Sequence, residues 1–172
     1  IQRKLDLWKR MQTVPKMLAT VDKPVIAMIN GDAVGGGMDI ALMCDIRVAS
    51  ENARFSQAYV RLGLVPGDGG AFFLARLIGL GRALEMLLTA DFVDAPQAER
   101  IGLVNHCVPH HELEDKAYGI ARKIAALPPL GVRRLGPPRP VRRNPPDLAT
   151  PGHRLHRSRR VPRERRRPAD PP

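Results

Sequence analysis

The hydrophobic pattern divides the first 130 residues of this 172-residue chain into strand and helix segments. Residues 25–29 form a continuous apolar run with the length of a buried strand. Apolar residues at helical spacing predict a helix over 4–20, which Pro15 disturbs. The same criteria predict helices over 71–80, 82–90, 94–101 and 111–127, and a short strand over 103–108.

A glycine-rich turn follows the first strand in the stretch NGDAVGGGMDIALMCD, residues 30–45. The apolar run after the glycines predicts a helix, whose first amides lack internal partners and can hold an anion or a developing oxyanion. On a helix the Asp39 carboxylate lies one turn above the Gly36 amide, so an oxyanion donor and a candidate general base face one site. The alternative role of Asp39 is a helix cap or a partner of the helix dipole.

Several linked blocks in residues 23–109 resemble the crotonase (enoyl-CoA hydratase/isomerase) family. They are KPVIA, the glycine triplet, CDIR, GLVPG and AERIGLV. The resemblance implies an α/β fold, a spiral of strand-strand-helix units, that binds acyl-coenzyme A thioesters and stabilises an enolate with two backbone amides. One amide corresponds to Gly36, and the other comes from an upstream loop. No matching loop precedes Lys23, and Ile1 is no initiator Met, so we expect the chain to be N-terminally truncated.

The acid-base positions depart from the hydratase pattern. The likeness places Asp39 where hydratases have their first Glu, and Tyr59 where they have the second. Tyr59 cannot replace a carboxylate as a base at neutral pH, because its unperturbed pKa is about 10. Asp68 lies one residue after Gly67, the position that matches a catalytic Asp of dienoyl-CoA isomerases. Asp68 is therefore a third catalytic candidate, with a turn or cap role as the alternative.

The predicted site contains the catalytic candidates Asp39, Gly36 and Asp68, and the substrate-binding candidates Gly35, Gly36, Tyr59 and Gly67. The resemblance implies no cofactor, since coenzyme A is part of the substrate, and a homo-trimer or hexamer for an intact parent. Hydration needs two proton-transfer groups, so Tyr59 in place of the second carboxylate weighs against it, whereas moving a double bond needs only one such group. Isomerisation and a specialised hydration both stay open. The alternative is a catalytically inactive remnant of the family.

Charge separates the chain into two predicted regions. Residues 1–130, the acyl-CoA domain, carry a net charge of +1, and residues 131–172 carry +10 with 13 Arg and 10 of the 17 prolines. This composition predicts a disordered tail. A shifted reading frame of a GC-rich gene explains Arg and Pro without Lys. The alternative is a basic arm that binds nucleic acid without sequence preference.

Cysteine, histidine and hydropathy add little. Cys44 and Cys107 are predicted as core residues, not as a disulfide. The cluster of His106, Cys107 and His110 matches no zinc spacing, so no metal site is predicted. The sequence shows no signal peptide and no apolar run of about 20 residues, which favours a cytoplasmic protein without a membrane contact.

Overall fold

Two three-stranded sheets organise residues 12–135, the part of the chain that the computed structural model describes. The first sheet is parallel and has the order β1 (Ile26–Ile29), β3 (Ile46–Ser50), β6 (His106–Val108). The second has the order β2 (Ala33–Val34), β4 (Arg54–Ser56), β5 (Val93–Asp94), with β2 and β4 parallel and β4 and β5 antiparallel. Strands β1 to β4 thus alternate between the sheets.

Helices connect and cover the sheets. They are α1 (Thr13–Thr20), α2 (Gly36–Met43), α3 (Gly70–Ile78), α4 (Leu80–Thr89), α5 (Ala95–Arg100), α6 (Leu113–Ala125) and α7 (Pro129–Leu135), with short 3-10 helices at Ala58–Leu62 and His110–Glu112. The order β1-β2-α2 followed by β3-β4-α3 gives two successive strand-strand-helix units. This order is the one expected from the α/β spiral that the resemblance implies.

The main core lies where α2, α3 and α5 pack against the second sheet. Its largest fully buried side chains are Met38, Phe55, Leu74 and Leu103. Met38 is the residue directly before Asp39, so burial of its side chain fixes the rotation of α2 about its axis. The hydrophobic effect that holds this helix in place therefore also sets the direction in which Asp39 points.

Most predicted elements are confirmed, with shifted ends. The helices predicted at 71–80 and 82–90 meet at Gly79, whose φ is +82°. The Asp94 cap is confirmed, since its Oδ1 accepts a hydrogen bond from the Gln97 amide at 2.7 Å. The strand predicted over 103–108 begins only at His106, because Leu103 and Val104 are buried from a loop. Apolar content alone does not distinguish a buried loop from a buried strand.

The first predicted helix and the predicted domain boundary at residue 130 lie near the two ends of the described range. Helix α1 begins at Thr13 with Pro15 in its first turn, where a missing N–H costs no helical hydrogen bond; residues 4–11 of the predicted helix lie outside the described range. Helix α7 crosses the predicted boundary at 130, and its Arg133 pairs with Asp22 at 3.4 Å. Residues 131–135 are thus helical, not disordered. Residues 136–172 of the predicted tail lie outside the described range.

The two cysteines occupy different environments. Cys44 is buried as predicted, whereas Cys107 is half-buried, and neither forms a disulfide. Within residues 12–135, no helix has the length and apolar character needed to span a membrane.

Arg47 of β3 ties the first sheet to the loop before β6. Its guanidinium is buried and donates to the carbonyl oxygens of Leu103 and Cys44, each at 2.7 Å. Its backbone N–H donates to Asn105 Oδ1 at 2.8 Å, and its carbonyl accepts from the Asn105 amide at 2.9 Å. Burial lowers the pKa of the Arg47 guanidinium, but the cation still donates to both buried carbonyl oxygens, through Nε and Nη1.

Replacing Arg47 with Met keeps much of the aliphatic stem and removes these donors. We expect Arg47→Met to lower the free energy of unfolding by about 3 kcal/mol, because each buried carbonyl that loses its donor costs roughly 1–3 kcal/mol. Urea unfolding followed by circular dichroism measures the change. Arg82→Met on exposed α4 is the control and should change little; equal effects of the two substitutions would contradict the structural role of Arg47.

Candidate active site

The pairing of β2 with β4 determines which residues face the glycine turn. Val34 lies opposite Ser56, and the Gly35 N–H donates to the Ser56 carbonyl oxygen at 2.9 Å. Gly35 then turns the chain into α2 with a φ of +53° and a ψ of −117°, a conformation that a side chain would strain. Gln57 and Tyr59, the first and third residues after β4, are thereby brought beside α2.

Helix α2 begins at Gly36, so Asp39 lies in its first turn. The Asp39 N–H donates to the Gly35 carbonyl oxygen at 2.9 Å and closes that turn. Gly36 is the first helical residue, and its amide therefore has no acceptor within the helix. The predicted arrangement of the Gly36 amide and the Asp39 side chain, one turn apart on a helix, is what α2 contains.

The Asp39 side chain is fully buried and is held by two neutral donors. Gln57 Nε2 donates to Asp39 Oδ1 at 2.8 Å, and the Tyr59 hydroxyl donates to Asp39 Oδ2 at 2.8 Å. A carboxylate whose two oxygens each accept a hydrogen bond has a fixed orientation. No side chain of opposite charge takes part in these bonds, so neutral donors alone offset the cost of burial.

Gly70 provides the space in which the Asp39 carboxyl lies. A Cβ on Gly70 would overlap Asp39 Oδ1 and stand 2.6 Å from its Cγ and 3.0 Å from Gln57 Nε2. Gly70 is the first residue of α3, so α2 and α3 approach each other at the carboxyl itself. Any side chain at position 70 would therefore displace Asp39.

Burial changes the acidity of both partners in the Asp39–Tyr59 hydrogen bond. Desolvation raises the pKa of Asp39, while the hydrogen bonds from Gln57 and Tyr59 lower it by less, so its pKa lies above the ordinary range. Burial also raises the pKa of Tyr59, as does the adjacent Asp39. The carboxylate therefore binds a proton more readily than a solvated Asp, and the phenol stays protonated.

Tyr59 lies against the glycine turn. Its ring carbons lie 3.7 Å from the point where a Cβ on Gly35 would stand, and its hydroxyl oxygen lies 3.7 Å from the same point on Gly36. The structure thus brings together four of the predicted residues: Gly35, Gly36, Asp39 and Tyr59. Their individual roles in substrate binding or catalysis stay predictions.

Asp68 and Gly67 lie in the bend before α3. The N-cap of this helix is Gly69 and no side chain caps it, so the cap role considered for Asp68 is wrong. Asp68 is half-buried, and burial raises its pKa. Its charge raises the pKa of both Asp39 and Tyr59, although it makes no hydrogen bond with either in the described structure. Gly67 is exposed.

Two residues of the site were missed from the sequence. Gln57 follows β4 directly, but a single polar residue after a strand is too common to indicate a site. Its Oε1 atom is buried and has no hydrogen-bond partner among the described residues. Gly70 belongs to the motif PGDGG, in which only the acidic residue suggests chemistry.

An apolar groove lies elsewhere in the fold. Its volume is about 560 Å³, and α6, α7 and the exposed side of β1 line it, including Ile26, Met28, Tyr118 and Val132. None of the site residues named above contributes to it. Across residues 12–135, no group of three or more His, Cys, Asp or Glu side chains is arranged to hold a metal ion.

Comparison with known proteins identifies the family. A sequence model described as enoyl-CoA hydratase/isomerase matches residues 2–136. The chain is 49% identical over 118 residues to the short-chain-enoyl-CoA hydratase of Clostridium acetobutylicum, covering 69% of this chain and 45% of that protein. It is 46% identical over 122 residues to the crotonyl-CoA hydratase of Syntrophomonas wolfei, covering 71% of this chain and 47% of that protein.

Solved structures agree with the sequence matches. A probable enoyl-CoA hydratase/isomerase from Mycobacterium abscessus superposes with a TM-score of 0.74 at 40% identity, covering 77% of this chain and 51% of that chain. An enoyl-CoA hydratase from Bacillus anthracis gives a TM-score of 0.74 at 42% identity with the same coverage. The chain spans about half the length of these relatives. By sequence and by fold, it belongs to the enoyl-CoA hydratase/isomerase (crotonase) family.

Proposed function

We propose that this protein acts on acyl-coenzyme A thioesters by removing and returning a proton next to the thioester, through an enolate intermediate. The observation that supports this most directly is the buried Asp39 carboxyl, fixed one helical turn from the Gly36 amide. Asp39 is the acid/base, and the Gly36 amide stabilises the enolate oxygen. Coenzyme A enters as part of the substrate, and no cofactor is needed for this chemistry.

The electrostatics suit both halves of the reaction. The raised pKa of Asp39 makes its carboxylate a stronger base than a solvated Asp, and brings the protonated acid closer to the working pH for proton return. The Gly36 amide stands at the positive end of α2, where a negative oxygen is stabilised. The second amide expected from an upstream loop would add about a hundred- to a thousand-fold in rate.

Two reactions share this intermediate, and one contact favours proton transfer without water addition. The Tyr59 hydroxyl bonds directly to Asp39 at 2.8 Å, which leaves no room between them for the water that a hydration reaction must activate. Double-bond isomerisation needs proton removal and return alone. Hydration is the second candidate, because the relatives at 49% and 46% identity are named hydratases.

The remaining predictions about the whole protein belong to this proposal. A homo-trimer or hexamer and a cytoplasmic location are expected from the family resemblance and the sequence. Asp68 is proposed as a further catalytic residue, and Gly35, Tyr59 and Gly67 as substrate-binding residues. Nucleic-acid binding by the basic tail, residues 131–172, is an alternative, and residues 136–172 of that tail lie outside the described range.

The proposal predicts deuterium exchange at the carbon next to the thioester. Butanoyl-CoA incubated with the chain in heavy water should gain deuterium there, and Asp39→Asn should slow this at least about a hundredfold, since the amide cannot accept the proton. Mass spectrometry follows the exchange. Asp91→Asn, at an exposed position, is the matched control and should leave the rate unchanged.

Two outcomes of the exchange experiment would contradict the proposal. Exchange that survives in Asp39→Asn would place the base elsewhere. Binding of butanoyl-CoA without any exchange by the unaltered chain would support the catalytically inactive remnant. In an active protein two substrates separate the reactions, because isomerisation converts 3-butenoyl-CoA to crotonyl-CoA, whereas hydration converts crotonyl-CoA to 3-hydroxybutanoyl-CoA.

Gly70 gives an independent test of the carboxyl position. Gly70→Ala should lower the exchange rate about as far as Asp39→Asn does, because the methyl group occupies the space of Asp39 Oδ1. Gly81→Ala is the matched control, since a Cβ there meets nothing within 4 Å and Ala favours the helix. Full activity of Gly70→Ala, with both variants folded by circular dichroism, would refute the placement of Asp39.

A further inference from the structure

We propose that Tyr59 is itself a catalytic residue, which passes the proton between the substrate carbon and the Asp39 carboxylate. The inference rests on the proposed function and assigns the group that touches the reacting carbon. It follows from which of the two side chains a ligand at the Gly36 amide can reach.

Asp39 is inaccessible where the substrate would lie. Its side chain is fully buried, whereas Tyr59 is half-buried, and so are Gly35 and Gly36. The Tyr59 hydroxyl lies beside Gly36, the residue whose amide would hold the thioester oxygen. A thioester bound at that amide therefore meets the phenol before the carboxylate.

The other approaches to the carboxyl are filled by protein atoms. Gln57, which is fully buried, covers Oδ1 through a 2.8 Å hydrogen bond, and Gly70 packs against the same oxygen. Oδ2 is the oxygen that Tyr59 contacts, at 2.8 Å. Among the described residues, the phenol thus stands on the side of Asp39 that faces the glycine turn.

The step moves two protons and one negative charge. The C–H bond next to the thioester carbonyl breaks, its proton joins the phenol oxygen of Tyr59, and its electron pair forms the enolate. The original phenol proton passes to Asp39 Oδ2 along the existing hydrogen bond. The carboxylate becomes a neutral acid, Tyr59 stays neutral, and the negative charge moves to the thioester oxygen. Proton return reverses each transfer.

The acidities of the two groups require the transfers to be coupled. The raised pKa of Tyr59 excludes a free phenolate at neutral pH, so the phenol accepts a proton only as it gives one away. The raised pKa of Asp39 favours that acceptance. Asp68 adds negative charge near both groups, which raises both pKa values in the same direction.

Tyr59→Phe tests the relay, because it removes the hydroxyl and keeps the ring against Gly35. Exchange into butanoyl-CoA should fall at least about a hundredfold, to the level of Asp39→Asn. The double substitution should cost no more than either single one, as expected for groups that act as a unit. The chain has two tyrosines, and Tyr118→Phe, at an exposed position of α6, is the matched control.

A solvent isotope series separates a relay from a merely positioning role. Butanoyl-CoA that carries tritium next to the thioester releases its label on exchange, and the rate of release is followed in mixtures of light and heavy water. The carbon-bound hydrogen comes from the substrate, so the phenol proton of Tyr59 is the one solvent-derived proton that moves in the relay. Removal through the relay therefore gives a rate that falls linearly with deuterium fraction, whereas direct removal by Asp39 gives no such dependence. A rate that falls with deuterium fraction, together with loss of exchange in Tyr59→Phe, supports the relay. A rate that is independent of deuterium fraction, or exchange kept in Tyr59→Phe but lost in Asp39→Asn, overturns it and leaves the proposed function standing. Absence of exchange in the unaltered chain overturns both.

Discussion

The pairing of β2 with β4 is the constraint on which the site depends. One hydrogen bond, from the Gly35 N–H to the Ser56 carbonyl oxygen at 2.9 Å, extends that short pairing into the glycine turn. A shift of one residue in this register would turn the side chains after β4 to the opposite face. Gln57 and Tyr59 would then no longer form their hydrogen bonds with Asp39. The positive φ of Gly35 and the close approach of Gly70 serve the same placement.

The site places polar groups where the rest of the core is apolar. Asp39 and Gln57 are both fully buried, as are the core side chains Met38 and Leu74. Burial disfavours the charged carboxylate, and two neutral hydrogen bonds offset only part of that cost, since its pKa stays raised. A group that folding alone would not place there is typical of a functional site. Arg47 differs, because its buried donors satisfy carbonyl oxygens and stabilise the sheet.

The sequence predicts the parts of this structure that repeat a local pattern. The strand before the glycines, the helix pair that meets at Gly79 and the Asp94 cap follow from periodicity and capping chemistry. The likeness to a known family placed Asp39 and Tyr59 at one site. Sequence reasoning missed the two-residue strand β2, the role of Gln57 and the space at Gly70, because each depends on contacts between segments 18 or more residues apart. The cap role of Asp68 failed because Gly69 takes that position.

Titration of the Asp39 carboxyl is the most direct test of the buried Asp39–Tyr59 pair. Carbon-13 NMR of protein labelled at the Asp side-chain carboxyl, with Asp39→Asn to assign the signal, gives its pKa in the folded chain. Burial of the carboxyl predicts a pKa above the ordinary value of about 3.9. The pKa of Asp39 should rise further in Tyr59→Phe, because the phenol hydrogen bond, which lowers this pKa, is then absent. An ordinary pKa that Tyr59→Phe leaves unchanged would contradict the buried Asp39–Tyr59 pair and the chemistry derived from it.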